Sequence, residues 1–182
     1  NEIIVRNLYS HLSAGTEMAC VSGIEDWFPL PNVPGYTAVG EILEKGEAVS
    51  HVEKGDIVYT FGPHAEVFKV DTTDRYHGVC VKVPGGLDPD IAAFTHMGGI
   101  AISSLRKSTI ELGDFVVVSG MGTIGNLAAQ FARLQGAFVI GTDIVENRLR
   151  IAKDCGIDFT INSKSQDIGK ELEKITAGAG VS

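Results

Sequence analysis

The chain has 182 residues, of which 44% are hydrophobic, so it is long enough to form one or two globular domains with a buried core. Its 15 basic and 23 acidic residues give a formal net charge of -8, which argues against binding to nucleic acid or to an anionic membrane. No apolar stretch approaches the ~20 residues that cross a bilayer, and the opening NEIIVRN lacks the profile of a signal peptide. We therefore expect a soluble, cytoplasmic protein.

The first part of the chain, to about Pro84, has the pattern of a small antiparallel barrel or sandwich. Five short β-rich runs alternate there with Gly and Pro, namely EIIVRNLY, TAVGEILEK, DIVYTF, AEVFKV and VCVKV. Between the first two runs lies a long irregular stretch, residues 13–36. Connections of this length are uncommon in compact domains, so we expect this one to line a site.

After Gly86 the pattern changes to helices and strands in alternation, which is typical of a parallel sheet. A helix is predicted from Leu87 through Leu105, with an acidic first turn. The predicted elements that follow are a strand at 115–119, a helix at 122–135, a strand at 137–142, a helix at 146–155, a strand at 159–161 and a helix at 166–176. The predicted fold class is α/β, with a β-rich domain over residues 1–95 and a partial, doubly wound parallel sheet over residues 96–182.

A glycine pattern joins the first strand of this second part to its helix. It reads Gly120, Gly122 and Gly125, with Thr123 and Ile124 inside the turn. A GxGxxG between a strand and a helix is the fingerprint of dinucleotide binding, because the glycines allow a tight turn, close approach to a pyrophosphate and close helix packing. The helix N-terminus supplies free N–H groups for the phosphates.

An acidic residue stands where the fingerprint requires one. Asp143 ends the next predicted strand, about 18 residues after Gly125, where a carboxylate accepts hydrogen bonds from ribose hydroxyls and repels a 2′-phosphate. This favours NAD over NADP, although Arg148 and Arg150 leave NADP possible. The alternative is a ligand-free turn in which Asp143 caps the following helix.

Four segments together resemble the medium-chain dehydrogenase/reductase superfamily: SAGTE, VPGYTAVGEILEKGEAV, KGDIVYTFGPHAEVFKV and VVVSGMGTIGNLAAQ. The resemblance covers nearly the whole chain. It implies a GroES-like catalytic domain followed by a Rossmann domain, a small-molecule substrate, and a homodimer or homotetramer. It also implies that the chain is partial, since family members begin with an earlier strand and continue into the second half of the Rossmann domain.

The zinc ligands of the family are not matched. Zinc-dependent members have Cys where this chain has Ala14 and His where it has Tyr36, which leaves His96 near the third position. A catalytic zinc needs about three protein ligands. The four-cysteine lobe of structural zinc is also missing after DIVYTF. We therefore expect a zinc-independent member.

Without a metal, hydrogen-bond donors must stabilise the oxygen that gains charge during hydride transfer. The resemblance makes Thr16 the first choice, because it matches the hydroxyl relay position of the family. Tyr36 and His96 are the next catalytic candidates, since both stand at former ligand positions. His64 is predicted to lie at the surface or behind the site, and Glu17 to orient its neighbours.

The leading function hypothesis is an NAD(H)-dependent oxidoreductase that transfers hydride between nicotinamide and an alcohol or carbonyl of a small organic substrate. A second hypothesis is an NADPH-dependent enone or quinone reductase, which shares the zinc-free layout. A third is a nucleotide-binding protein without catalysis.

Overall fold

The structure, a computed structural model, describes residues 1–181 and divides into two units, Asn1–His96 and the residues from Met97 onward. Ser182, the last residue of the predicted second domain, lies outside the described residues. Within the described range, no helix combines the length and the apolar character that a membrane span requires.

Five antiparallel strands form the sheet of the first unit, in the order β4-β1-β2-β3-β5. Their bounds are β1 Glu2–Ser10, β2 Ala38–Lys45, β3 Ile57–Thr60, β4 Val67–Asp71 and β5 Cys80–Lys82. Ile3 and Val5, two positions apart on β1, are fully buried, as the period of a half-buried strand requires. They pack with Ile42, Val58 and Phe68 in the core of this unit.

The predicted irregular stretch contains a helix. Helix α1 spans Ala14–Val21, whereas residues 22–37 form neither helix nor strand. Its two buried residues are Glu17 and Cys20, three positions apart on one face. The prediction of an irregular segment was wrong here because a carboxylate occupies one of the inward positions, which hides the apolar periodicity of the helix.

The single helix predicted through Leu105 is interrupted. The structure has α2 over Pro89–Ala92 and α3 over Thr95–Leu105. At the break, the Thr95 hydroxyl donates a 2.6 Å hydrogen bond to the Ala92 carbonyl. A side chain thus satisfies a carbonyl that the end of α2 leaves without a helical partner.

Three parallel strands, in the order β6-β7-β8, form the sheet of the second unit. The elements are β6 Phe115–Ser119, α4 Thr123–Leu134, β7 Phe138–Asp143, α5 Glu146–Asp154, β8 Phe159–Asn162 and α6 Ile168–Thr176. Five of the six residues of β7 are buried, as expected for a central strand with both faces covered. The predicted α/β class with a parallel sheet is confirmed.

Candidate functional site

The glycine turn lies at the carboxyl end of β6 and leads directly into α4. Gly120 has a φ of +89°, which L side chains rarely adopt. A Cβ on Gly125 would lie 1.8 Å from the Gly120 carbonyl oxygen. Both glycines are therefore required by the protein's own backbone.

Gly122 differs from its two neighbours in the fingerprint. A Cβ there would meet no protein atom within 4 Å, and its φ of -71° suits any residue. The space beside it opens at the N-terminus of α4, where Thr123 and Ile124 form the first turn and have N–H groups without helical acceptors. A glycine that the protein itself does not need leaves room for an approaching anion such as a pyrophosphate.

Asp143 is buried at the end of β7, with 6% of its surface exposed. Its Oδ2 accepts a 2.8 Å hydrogen bond from the Met121 N–H, and its Oδ1 accepts one of 2.8 Å from the Val145 N–H. Arg148 Nη1 lies 3.6 Å from Oδ2. Burial raises the pKa of this carboxyl, but the N–H donors and the guanidinium outweigh it and hold the pKa below its usual range. The carboxylate is thus ionised and held in place by main-chain N–H groups.

A crevice of about 250 Å³ lies at this edge of the sheet. Its lining residues are Ser119, Gly120, Thr142, Asp143, Ile144, Arg148 and Ser163. Open α/β sheets bind their ligands outside the carboxyl ends of the strands. The residues present therefore fit the adenosine and phosphate portions of a dinucleotide.

In the first unit, Tyr36 and His96 are neighbours. Their ring centroids are 5.3 Å apart in an edge-to-face arrangement, and Phe61 lies 5.1 Å from His96 on an edge-to-face contact of its own. Burial lowers the pKa of His96, so its imidazole is neutral at pH 7. A phenol and a neutral imidazole side by side supply a hydrogen-bond donor and a group that can accept or donate a proton.

Thr16 lies in the first turns of α1. Its hydroxyl accepts a 3.3 Å hydrogen bond from the Ser13 hydroxyl. Among the described residues, the Thr16 hydroxyl is hydrogen-bonded to Ser13 and not to the Tyr36 or His96 ring. The structure thus brings together two of the three predicted catalytic residues and places the third on a separate helix of the same unit.

His64 makes more polar contacts than the sequence suggests. Its Nε2 lies 2.9 Å from Glu17 Oε2 and its Nδ1 lies 2.8 Å from Ser10 Oγ. Its main-chain N–H donates a 2.8 Å hydrogen bond to the Pro34 carbonyl. The other Glu17 oxygen accepts from the Ser13 N–H at 2.7 Å. A serine followed four residues later by a glutamate was the only local signal of this network.

The residues at or near the predicted zinc-ligand positions are Ala14, Tyr36 and His96. No group of three or more His, Cys, Asp or Glu side chains within residues 1–181 is placed to hold a metal. Ala14, the first residue of α1, has a methyl group where a ligand would be needed, and the His96 ring contacts the aromatic rings of Tyr36 and Phe61. Tetrahedral zinc requires about three nitrogen, sulfur or carboxylate ligands.

Known proteins resemble the chain in sequence and in structure. A sequence profile described as "Zinc-binding dehydrogenase" matches residues 123–182. D-guloside 3-dehydrogenase of Escherichia coli (strain K12) is 36% identical over 147 residues, which are 80% of this chain and 41% of that protein. Sorbitol dehydrogenase of Halalkalibacterium halodurans is 38% identical over 178 residues, 82% of this chain and 52% of that protein.

Comparison with solved structures agrees with the sequence comparisons. A solved NAD-dependent alcohol dehydrogenase superposes with a TM-score of 0.84 at 25% identity, covering 99% of this chain and 61% of that one. The chain belongs to the medium-chain dehydrogenase/reductase superfamily, as the motifs predicted. It spans about half the length of the curated relatives that it matches.

Proposed function

We propose that this chain carries the NAD(H)-binding fingerprint and candidate catalytic side chains of an oxidoreductase that interconverts an alcohol and a carbonyl on a small organic substrate. The observation that carries the proposal is the combination of two features: the open space where a Gly122 side chain would lie, and the fixed carboxylate of Asp143. The first admits a pyrophosphate, and the second accepts hydrogen bonds from an adenosine ribose.

Preference for NAD over NADP follows from the charge in the crevice. Asp143 is ionised at pH 7 and buried, so a 2′-phosphate beside it would meet a like charge at low dielectric. Arg148 is about half exposed and lies at 3.6 Å from the carboxylate, so it offsets only part of that repulsion. The solved alcohol dehydrogenase that superposes on this chain is NAD-dependent, which supports the same preference.

Nicotinamide supplies the hydride chemistry when it is bound. The chain's own residues then hold the cofactor and manage one proton. Tyr36 is the donor that we assign to the substrate oxygen, and neutral His96 beside it can accept or return a proton. Thr16 contributes a second hydroxyl for the relay, connected to Ser13.

The substrate class that the relatives favour is a polyhydroxylated molecule. Two curated relatives above 35% identity are named for a guloside and for sorbitol, in which the reacting carbon carries a hydroxyl. Secondary alcohols of sugars and sugar alcohols are therefore the first substrates to test.

Independence of zinc is part of the proposal. Its support is the chemistry of the ligand positions, where Ala14 provides a methyl group and Tyr36 a phenol. The zinc-binding profile covers residues 123–182, which include neither position. Turnover should persist after dialysis against EDTA, and metal analysis should find less than one zinc per chain.

The decisive experiment is a titration of NADH and NADPH into the full-length protein, followed by nicotinamide fluorescence. We expect NADH to bind more tightly, and Asp143→Ser to weaken NADH roughly 10- to 100-fold, because hydrogen bonds to a charged group contribute about 1.5–3 kcal/mol each. Asp154→Ser, a change at an exposed position of α5, is the matched control and should leave both affinities unchanged.

Each other outcome selects a different hypothesis. Tighter binding of NADPH by the unmodified protein would favour the enone or quinone reductase. Binding of NADH without turnover on a panel of sugar alcohols and carbonyls would favour a nucleotide-binding protein without catalysis. If neither nucleotide binds, the assignment of the fingerprint is wrong.

A further inference from the structure

His64 and Glu17 form a hydrogen-bonded pair that joins three separate segments of the first unit. Glu17 is on α1, directly after Thr16, and His64 is in the connection between β3 and β4. Their sequence separation is 47 residues, and the Nε2 to Oε2 distance is 2.9 Å. Pro34, whose carbonyl accepts from the His64 N–H, is two residues before Tyr36.

The contacts of the pair indicate which nitrogen of the His64 ring donates a hydrogen bond and which accepts one. Glu17 is 8% exposed, and its two oxygens accept from the Ser13 N–H and from His64. A carboxylate oxygen accepts hydrogen bonds, so this contact favours the tautomer of His64 that donates from Nε2. In that tautomer Nδ1 accepts from the Ser10 hydroxyl, which lies 2.8 Å away. Every polar atom of this ring is therefore engaged.

The ring also supports the turn that carries Tyr36. Gly35 has a φ of +104°, and a Cβ there would lie 2.6 Å from the His64 backbone nitrogen and 2.9 Å from its ring. The turn thus packs against His64 with no side chain between them. This close packing and the hydrogen bond from the His64 N–H to the Pro34 carbonyl couple the position of His64 to the backbone next to Tyr36.

Ser10 contacts His64, and His64 contacts Glu17, which resembles the catalytic triad of a hydrolase. The surroundings of these residues differ from those of such a triad. Such a site needs backbone N–H groups that are free to stabilise an oxyanion. The N–H of His11, the residue after Ser10, donates to the Thr37 carbonyl at 3.2 Å. This favours a supporting role for the network over a nucleophilic one.

We infer that His64 and Glu17 act together as positioning residues, which hold the Thr16 and Tyr36 hydroxyls in the arrangement that proton transfer requires. The inference rests on the proposed function for its effect on turnover. Misplacement of a reacting group by about 1 Å can cost about 100-fold in rate, so the pair matters for kcat even though its hydrogen bonds are made to other protein groups. The cofactor fingerprint belongs to other residues, so NADH affinity should not depend on the pair.

The test compares Glu17→Gln, His64→Gln and the double variant in the full-length protein, with His51→Gln as the matched control at an exposed histidine. We expect kcat for the best alcohol substrate to fall about 10- to 100-fold in each single variant, with KM and the NADH Kd changed less than about threefold. The double variant should be no slower than the slower single variant, because the two side chains act as one unit. Independent, multiplying effects would overturn the inference, as would an unchanged kcat in a folded variant.

A spectroscopic measurement decides the matter without any substrate. In protein labelled on Thr methyl groups and Tyr rings, His64→Gln should shift the Thr16 methyl and Tyr36 ring signals, whereas His51→Gln should not. In the unmodified protein, the His64 ring nitrogens should show the Nε2–H form with a hydrogen-bonded proton. If these signals behave as expected but no alcohol is oxidised, the proposed function fails while the structural role of the pair stands. If the Thr16 and Tyr36 signals do not move, the pair does not position them. Should His64→Gln fail to fold, Glu17→Gln and the imidazole spectrum of the unmodified protein provide the same decision.

Discussion

Asp143 illustrates how one buried side chain combines a structural and a ligand-binding role. The sequence offered two interpretations of it, a ribose-binding carboxylate and a cap for the following helix. The structure shows that its oxygens accept from Met121 on the glycine turn and from Val145, the residue before α5. The two interpretations are therefore compatible, because the residue whose carboxylate these hydrogen bonds order also lines the crevice.

Tyr59, unlike Asp143, has a buried polar group to which we assign no role in ligand binding. The side chain is 6% exposed, and its hydroxyl makes no hydrogen bond of good geometry among residues 1–181, although the Thr37 side chain lies close enough to oppose the rise of its pKa. Burial raises the pKa of this phenol to about 12, so it is neutral at any physiological pH. An unsatisfied buried polar group costs about 1–3 kcal/mol of stability.

Tyr59→Phe should therefore stabilise the protein, by about 1 kcal/mol, because the ring packing remains and the unpaired hydroxyl is removed. Chemical denaturation monitored by fluorescence would measure the change in the free energy of unfolding. Tyr76→Phe, at a side chain that is 72% exposed, should change it by less than about 0.5 kcal/mol. A clear loss of stability on Tyr59→Phe would show that the hydroxyl is hydrogen-bonded in solution.

At the scale of elements, the turn from β6 into α4 separates what the fold needs from what a ligand needs. Gly125 touches the Gly120 carbonyl so closely that no side chain fits, whereas the space beside Gly122 is open. The three glycines look equivalent in the sequence. The structure distinguishes them by backbone conformation at Gly120, where φ is +89°, and by the atoms around the missing Cβ at Gly125, whereas neither constraint applies to Gly122.

Two alanine substitutions should behave differently for this reason. Gly125→Ala should destabilise the protein by about 3 kcal/mol, because a methyl group would overlap the backbone of the turn. Gly122→Ala should cost about 1 kcal/mol or less, the difference between glycine and alanine at a helix N-cap, and yet weaken NADH roughly tenfold or more. Thermal unfolding and a fluorescence titration on both variants would separate the two effects. Equal NADH affinity of Gly122→Ala and the unmodified protein would count against a pyrophosphate at this turn.

At the scale of the whole molecule, the boundary between the two units falls within helix α3. The first unit ends at His96, within the first turn of α3, which spans Thr95–Leu105. The predicted domains, 1–95 and 96–182, stay a prediction, as do the dimeric or tetrameric state and the cytoplasmic location. The longest stretch without helix or strand is instead residues 22–37, and it exposes several apolar side chains.

Limited proteolysis tests whether residues 22–37 are the most accessible segment of the chain. Thermolysin, which cuts before large apolar residues, should cleave first within residues 22–37, where Ile24 is 74% and Leu30 is 55% exposed. Residues 95–105 should resist, because α3 would have to unfold before the chain fits a protease. Mass spectrometry of the early fragments identifies the sites. An initial cut within residues 95–105 would contradict this prediction.

The sequence alone determined the features that depend on neighbouring residues. Short β-rich or apolar runs located the strands of both units, and the order strand, glycine turn, helix, strand, acidic residue located the candidate dinucleotide site, because these signals extend over at most about 30 consecutive residues. The same local signals were insufficient for α1, where a buried glutamate interrupts the apolar stripe.

Only the tertiary structure decided which distant side chains meet. His64 lies 47 residues from Glu17 and 54 from Ser10, and it was predicted to be a surface or supporting residue. Likewise, Tyr36 and His96 become neighbours only when the turn before β2 and the start of α3 are packed together. Such contacts depend on how strands pair and helices pack, and nothing in the local periodicity of a chain specifies which of many possible partners a histidine finally contacts.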